Sequence, residues 1–231
     1  MKNALVTGAN KGLGFGTSKK LAQMGYKVFM VGRNSEKITR AAEELKSGSL
    51  EVEALTADVS DDNSIDKLAQ ELKKKIDKLD ILINNAGIFF DSDEKGTFKI
   101  TTEEMLKTFN TNTLGAYRMV RSLYPLLLEG KNPCIVNISS KMGQLFEMEG
   151  KYPAYRMSKT ALNALTKILS KEFEGKIKVN CLHPGWVKTD MGGLNAPRTV
   201  DEAIEGIIWA ATLPPNGPSG KFFADGKPME W

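Results

Sequence analysis

Tyr155 and Lys159 stand four residues apart in the run Tyr155-Arg156-Met157-Ser158-Lys159. On a helix that spacing puts both side chains on one face. A phenol ionises near pH 10 and is a weak acid–base group at neutral pH, but an ammonium a few Å away favours the phenolate and lowers that value. The pair is therefore expected to give a proton to a carbonyl oxygen, or to take one back from an alcohol. A Tyr and a Lys at this spacing are common by chance, so their surroundings decide. Upstream, the apolar run ending in Asn137-Ile138-Ser139-Ser140 offers a hydroxyl. Ser140 is expected to hydrogen-bond a substrate oxygen as negative charge develops on it. Asn112 lies inside a long helical pattern, where asparagine is unfavourable. It is expected to kink that helix and to hold a water beside Lys159.

A second set of residues reads as a nucleotide site. Thr7-Gly8-Ala9-Asn10-Lys11-Gly12-Leu13-Gly14 follows an apolar run and opens a helical pattern. Glycine there permits a sharp turn, close approach of the backbone to a pyrophosphate and tight packing of helix on strand. The helix then presents free N–H groups to the phosphates. Gly8, Asn10, Lys11, Gly12, Leu13 and Gly14 are the expected contacts. The next apolar run ends in Val31-Gly32-Arg33-Asn34, where a carboxylate would read the ribose hydroxyls of NAD. Gly32 occupies that place. Arg33, with Asn34 beside it and Lys11 as a second cation, favours the 2′-phosphate of NADPH/NADP+. Asp58-Val59 ends the third run and suits an adenine contact through the Asp58 side chain and nearby backbone. Asn84-Asn85-Ala86-Gly87 ends the fourth. Asn85, Ala86 and Gly87 are expected to pass beside the cofactor, while Asn84 ties adjacent strand ends together. After the sixth, Pro184-Gly185-Trp186-Val187-Lys188-Thr189 is placed to clasp a nicotinamide amide through the Val187 backbone and the Thr189 hydroxyl.

These motifs need a scaffold that brings them to one edge. Strand-like runs at Asn3–Thr7, Lys27–Gly32, Glu51–Ala57, Ile81–Asn84, Cys134–Ser139, Lys178–Leu182 and Lys221–Ala224 alternate with helical patterns. The helices are expected near Leu13–Met24, Ser35–Lys46, Asp62–Asp77, Thr102–Leu128, Pro153–Glu174 and Val200–Leu213, with Ser35 and Asp62 as N-caps. Alternation of this kind implies a parallel α/β sheet covered on both faces. Ligands of such a sheet lie beyond the carboxyl ends of its strands, where every motif above falls. No repeat or composition break divides the 231 residues, so one domain over 1–231 is expected.

The ordered set Thr7-Gly8…Gly12…Gly14, Asn84-Asn85-Ala86-Gly87, Ser140, Tyr155…Lys159 and Pro184-Gly185 resembles the short-chain dehydrogenase/reductase superfamily across essentially the whole chain. The resemblance implies a seven-stranded doubly wound, Rossmann-type sheet and a catalytic tetrad of Asn112, Ser140, Tyr155 and Lys159. It also implies that Lys159 binds the nicotinamide ribose, and that hydride passes from the nicotinamide to a carbonyl carbon. Asn10-Lys11-Gly12, the Pro184-to-Met191 run, Leu213-Pro214-Pro215 and Trp231 are similar to the carbonyl reductase branch, whose usual cofactor is NADPH. Two departures stand out. Ser140 lies fifteen residues before Tyr155, two more than in most of the superfamily, and is chosen over Ser139 by motif alignment. The helical insertion that several animal and plant carbonyl reductases carry before the tyrosine is missing. There it covers a dimerising surface, so a homodimer or homotetramer stays open.

Composition excludes little but points consistently. Apolar residues at 41 %, charged residues at 26 % and a net charge of +4 are ordinary for a globular protein, so no nucleic-acid partner is expected. Cys134 and Cys181 read as buried thiols, and a single histidine, His183, leaves no partner for a His-rich metal cluster. No membrane span or signal peptide is visible, and a cytoplasmic location is the default. Loops Ile88–Ile100, Lys141–Pro153 and Met191–Arg198 carry Phe89, Phe90, Met142, Leu145, Phe146 and Met191. With Trp186 they suggest an apolar or aromatic small-molecule carbonyl substrate, and the last loop could act as a lid. Two rivals remain at this point: an alcohol dehydrogenase working oxidatively, and a non-catalytic NADP(H)-binding sensor.

Overall fold

The computed structural model describes residues 1–92 and 96–231. Eight strands form one sheet in the order β3-β2-β1-β4-β5-β6-β7-β8. They are β1 (Lys2–Thr7), β2 (Tyr26–Gly32), β3 (Val52–Thr56), β4 (Ile81–Asn84), β5 (Cys134–Ile138), β6 (Lys178–Leu182), β7 (Phe222–Ala224) and β8 (Lys227–Met229). The first seven pair in parallel. The strand order reverses between β1 and β4, and that crevice is where a doubly wound sheet takes its ligand. The helices are α1 (Gly12–Gln23), α2 (Ser35–Ser47), α3 (Asp62–Lys73), α4 (Thr102–Phe109), α5 (Gly115–Leu128), α6 (Pro153–Glu172) and α7 (Val200–Ala211).

Strand residues are buried on both faces: Ala4, Leu5, Val6, Val28, Phe29 and Met30 are all fully enclosed. A two-sided apolar run is what a parallel sheet between helix layers demands. One core layer joins β1, β2 and β5 to α1, α2 and α7 through residues such as Leu21, Ile38 and Ile207. The other joins the opposite face to α3, α5 and α6 through Ile65, Met119 and Leu169. Each helix turns a stripe inward, as Ile38, Ala41, Ala42 and Leu45 do on α2.

The structure departs from the sequence reading in three places. An eighth strand exists, antiparallel to β7. Asp225 and Gly226 both take positive φ, at 48° and 74°, so an Asp-Gly turn folds the chain back as a tight hairpin. The N-caps of α2 and α3 are Asn34 and Asp61, whose side chains accept from the Lys37 and Ser64 amides; Ser35 and Asp62 are the first helical residues instead. The long helix expected over Thr102–Leu128 is broken by a π-helical turn at Asn110–Leu114, which separates α4 from α5. The kink foreseen at Asn112 is this widened turn, a feature frequent at functional sites.

Asn84 Nδ2 donates to Asn137 Oδ1 at 2.8 Å and so links the carboxyl ends of β4 and β5. Asn137 is fully buried. Asn84→Ala leaves that oxygen without its donor and is expected to cost about 1–3 kcal/mol of unfolding free energy in a urea titration. An unchanged midpoint would show that the tie contributes nothing.

Candidate active site

The turn after β1 is shaped by what glycine allows. Gly8 and Gly12 have φ of 64° and 55°. A Cβ on Gly14 would sit 2.3 Å from the Gly8 carbonyl oxygen, so α1 packs against the turn as no other residue permits. The Thr7 hydroxyl accepts from the Asn85 and Ala86 amides, both at 3.0 Å. Asn85 Nδ2 donates back to the Thr7 and Gly8 carbonyls. The Asn85 side chain thus braces the turn, leaving Ala86 and Gly87 as the small residues beside it. Lys11 gives α1 no side-chain cap, and the first turn carries no acid, which leaves its amides available to an anion.

A cavity of about 540 Å³ opens beside this turn, lined by Asn10, Lys11, Phe15, Lys37, Arg40, Ala41, Glu44 and Asp190. Arg33 is exposed at the end of β2. Lys37 and Arg40, on the first turns of α2, bring two cations that the sequence reading did not single out; their three-residue spacing on one helix face was the available signal. The Asn34 side-chain oxygen is spent on capping α2. Asp58 Oδ1 accepts from the Ser60 amide and hydroxyl, so one carboxylate oxygen shapes the chain after β3. The Val59 side chain packs against Gly115, where a Cβ would come within 2.9 Å of it, and can offer a ligand only its backbone.

At the end of β5 the geometry separates two adjacent serines. Ser139 is buried and donates to Asn163 Oδ1 at 2.6 Å. Ser140 accepts from the Met142 amide and hydrogen-bonds the Tyr155 phenol. The short 3₁₀ turn that follows, Lys141–Gly143, is held to α6: Gly143 carbonyl accepts from Thr160 and Asn163, and a Cβ on Gly143 would strike the Lys159 backbone at 2.6 Å. Lys159 is buried, donates to the Ile138 carbonyl at 2.7 Å and lies 5.5 Å from the centroid of the Tyr155 ring. Burial pushes its ammonium down to about 8.

Tyr155 departs from the expected direction. Burial pushes its phenol up to about 12, with the Ser140 hydrogen bond opposing. The ammonium reaches the face of the ring and spends its near hydrogen bond on Ile138, so it does not offset the loss of solvent. The Asn112 amide accepts from Ile88 N at 2.8 Å and donates to Ile88 O and Ser158 Oγ, both at 3.0 Å. Both donor hydrogens are used, so this amide clamps the segment after β4 to α6. Gly87 lies between Asn112 and Lys159: its Cβ would be 3.3 Å from Asn112 Oδ1 and 3.8 Å from Lys159 Nζ.

The loop after β6 closes over the glycine turn. Thr189 Cγ2 lies where a Cβ on Gly12 would make a 3.2 Å contact, and Lys11 pairs with Asp190. Gly185 has φ of 86° and leaves space filled by Arg198. Pro184 and Val187 are buried; the Thr189 hydroxyl donates to Val187 O and accepts from Gly192 N, building the loop itself. His183 is pushed down to about 4, first by burial and then by the Arg198 charge, which keeps it neutral. Among the described residues no group of three His, Cys, Asp or Glu is arranged to hold a metal.

Asp91 is a third residue that the sequence does not point to. Asp91, only 4 % exposed, accepts from the Ala154 and Tyr155 amides at 3.2 and 2.9 Å. Tyr152, the N-cap of α6, is left-handed with φ 52° and supplies no side-chain cap. Asp91 therefore caps the helix from another loop, and it does so at the amide of Tyr155 itself. Nothing local marks an acid for capping a helix across 64 positions of sequence. Asp91→Ala is expected to lose about 1–3 kcal/mol of stability and to slow turnover, with Asp91→Asn recovering part of both because its amide oxygen still accepts. Equal melting and equal rates in all three proteins would refute the positioning of Tyr155 by this cap.

With this geometry, likeness to known proteins becomes informative. A family model described as short chain dehydrogenase matches residues 2–198. Carbonyl reductase [NADPH] 1 of Mus musculus is 30 % identical, over 99 % of this chain and 98 % of its own. Short-chain dehydrogenase/reductase 1 of Saponaria officinalis is 31 % identical over 95 % and 93 %. The solved structure of carbonyl reductase Sniffer of D. melanogaster superimposes with a TM-score of 0.89 at 32 % identity, covering all of both chains. The chain belongs to the short chain dehydrogenase family and has carbonyl reductases among its relatives there.

Proposed function

We propose that the protein is an NADPH-dependent reductase of apolar or aromatic ketones, aldehydes or quinones, with Tyr155 as the proton donor. The observation that carries this reading is the Tyr155 phenol hydrogen-bonded to Ser140 and faced by the Lys159 amine at the carboxyl edge of the sheet. A phenol pushed up to about 12 is almost fully protonated at neutral pH. It is therefore in the proton-donating form that reduction of a carbonyl requires. Ser140 is placed to donate to the same substrate oxygen, and the Lys159 charge favours negative charge forming there.

The residues present fit a dinucleotide. Gly8, Gly12 and Gly14 form a cradle that a Cβ would fill, and the free amides of α1 face it. Lys37 and Arg40 line one cavity beside the turn with Lys11, which pairs with Asp190, and Arg33 stands exposed just after β2; cations in these places suit a 2′-phosphate. NADPH, when bound, supplies the hydride. A relative named carbonyl reductase [NADPH] 1 supports the same choice. Phe89 packs edge-on against the Tyr155 ring at 4.8 Å. Phe90, Leu145, Phe146, Met148, Trp186, Met191 and Leu194 are exposed large apolar side chains on the surrounding loops, and such a rim suits a substrate with few charges. Of the Ile88–Ile100 wall, positions 93–95 lie outside the described residues.

NADPH oxidation against a panel of aromatic ketones, quinones and aldehydes tests the proposal directly. Tyr155→Phe is expected to lower kcat by about 10²-fold or more while NADPH still binds, as followed by its fluorescence; full turnover in this variant would end the role of Tyr155. Arg33→Ala is expected to raise the KM for NADPH and leave that for NADH unchanged, and a wild-type preference for NADH would overturn the cofactor assignment. Lys159 is charged below a pKa of about 8 and neutral above it, and kcat/KM reports groups of the free enzyme. That ratio is therefore expected to fall as pH rises through about 8; a flat profile to pH 9.5 or so would contradict a need for the ammonium.

A further inference from the structure

At the amino ends of β5, β6 and β7, opposite the candidate active site, a cavity of about 500 Å³ gathers six lysines. Lys131 precedes β5, Lys167 and Lys171 come from the carboxyl half of α6, Lys176 and Lys178 lead into β6, and Lys221 precedes β7. One acid, Glu174, lines the same space, and it is already paired with Lys171 at 3.1 Å. Most other paired lysines of this chain lie beside a carboxylate, as Lys20 does with Glu205 and Lys27 and Lys75 with Glu53. Among the described residues, Lys131, Lys176 and Lys221 have no such partner.

Lys178 makes the cavity more than a solvated surface. It is only 8 % exposed, and its hydrogen-bond partner is the neutral Asn132 side-chain oxygen. Burial pushes its ammonium down. Its neighbour Cys134 is pushed up to about 12 by burial, so it is a neutral thiol and offers no countercharge. A largely covered cation at the wall of a cavity, with only a neutral partner, is a place where an anion would be stabilised. Lys131, Lys176 and Lys221, without carboxylate partners among the described residues, stand around the same concavity, where one multivalent anion could meet them together.

We propose that this cavity binds a small soluble oligophosphate, held by Lys178 at its wall and by Lys131, Lys176 and Lys221 around it. The volume falls in the range of small-ligand sites. Its concave shape favours a compact anion over a nucleic-acid duplex or a membrane, which need an extended basic face. The Ser170 and Ser219 hydroxyls and the Asn216 side chain also line it and supply neutral polar groups beside the cations. The proposal is independent of the reaction assigned above, because none of these residues touches the site at the other edge.

The test is calorimetric titration of the full chain with inorganic pyrophosphate at constant ionic strength, with NADP+ present in saturating amount. One saturable site is expected, with Kd of roughly 1 mM or tighter, weakened tenfold or more in Lys131→Gln/Lys221→Gln. Those two side chains are exposed, so the double variant is expected to fold and to keep its carbonyl reductase rate. Lys178→Gln should lose the site as well. Binding that persists undiminished in the double variant would place pyrophosphate elsewhere and overturn the proposal. So would an absence of saturable binding, or binding of single-stranded DNA or phosphatidylserine vesicles with none of pyrophosphate.

Discussion

A buried ammonium held by a main-chain carbonyl sets the terms for the rest of this protein. Lys159 is 4 % exposed and has Ile138 O, the last carbonyl of β5, as its near partner. A carboxylate partner would stabilise the charge more strongly, but it would also neutralise the field in front of Tyr155. A neutral carbonyl keeps the lysine in place and leaves its charge unspent. The consequence is a pKa lowered to about 8, close enough to neutrality that the group stays charged at pH 7 with little to spare. Such a cation survives in the interior only if every neighbouring element is fixed, since a small displacement exposes it to water and removes its reason to face the phenol.

The braces around it follow from that demand. Gly143 lets the turn after β5 lie against the Lys159 backbone, and Asn163 and Thr160 bind the Gly143 carbonyl. Asn112, in a π-helical turn, clamps Ile88 to Ser158. Asp91 caps α6 at Tyr155. The braces come from the segments that follow β4 and β5 and from α6, so the fold and the site are stabilised by the same hydrogen bonds. This is how a loop-borne serine and a helix-borne tyrosine keep a fixed separation without a ligand between them.

Much of this was legible in the sequence because it is local. Apolar runs and helical patterns gave the alternating elements, and glycines at 8, 12 and 14 could be read from the backbone they permit. Asn84 could be assigned to tying strand ends because it sits at one. What was not legible depends on burial or on long-range pairing. The direction of the Tyr155 shift reverses once desolvation is weighed against the ammonium, and desolvation is a property of the fold. The partners of the Asn112 amide, Ile88 and Ser158, could not be read because they are far away in the chain. β7 falls in the run read at Lys221–Ala224, whereas β8 was legible in principle from Asp225-Gly226 but its three residues carry too little pattern to register.

Net charge shows the same limit from another side. A value of +4 over 231 residues looks unremarkable, and the lysines concerned are spread from position 131 to 221. Folding collects six of them at the amino edge of β5, β6 and β7, while α2 and the glycine turn hold others at the carboxyl edge of the sheet. The two basic concavities lie at opposite edges of the sheet and over different strands, with a core between them that excludes water and ions. The average charge describes neither edge. Each is a local field, and the anion it selects is decided by what lies between the cations: helix amides and glycines on one side, a buried lysine and a neutral thiol on the other.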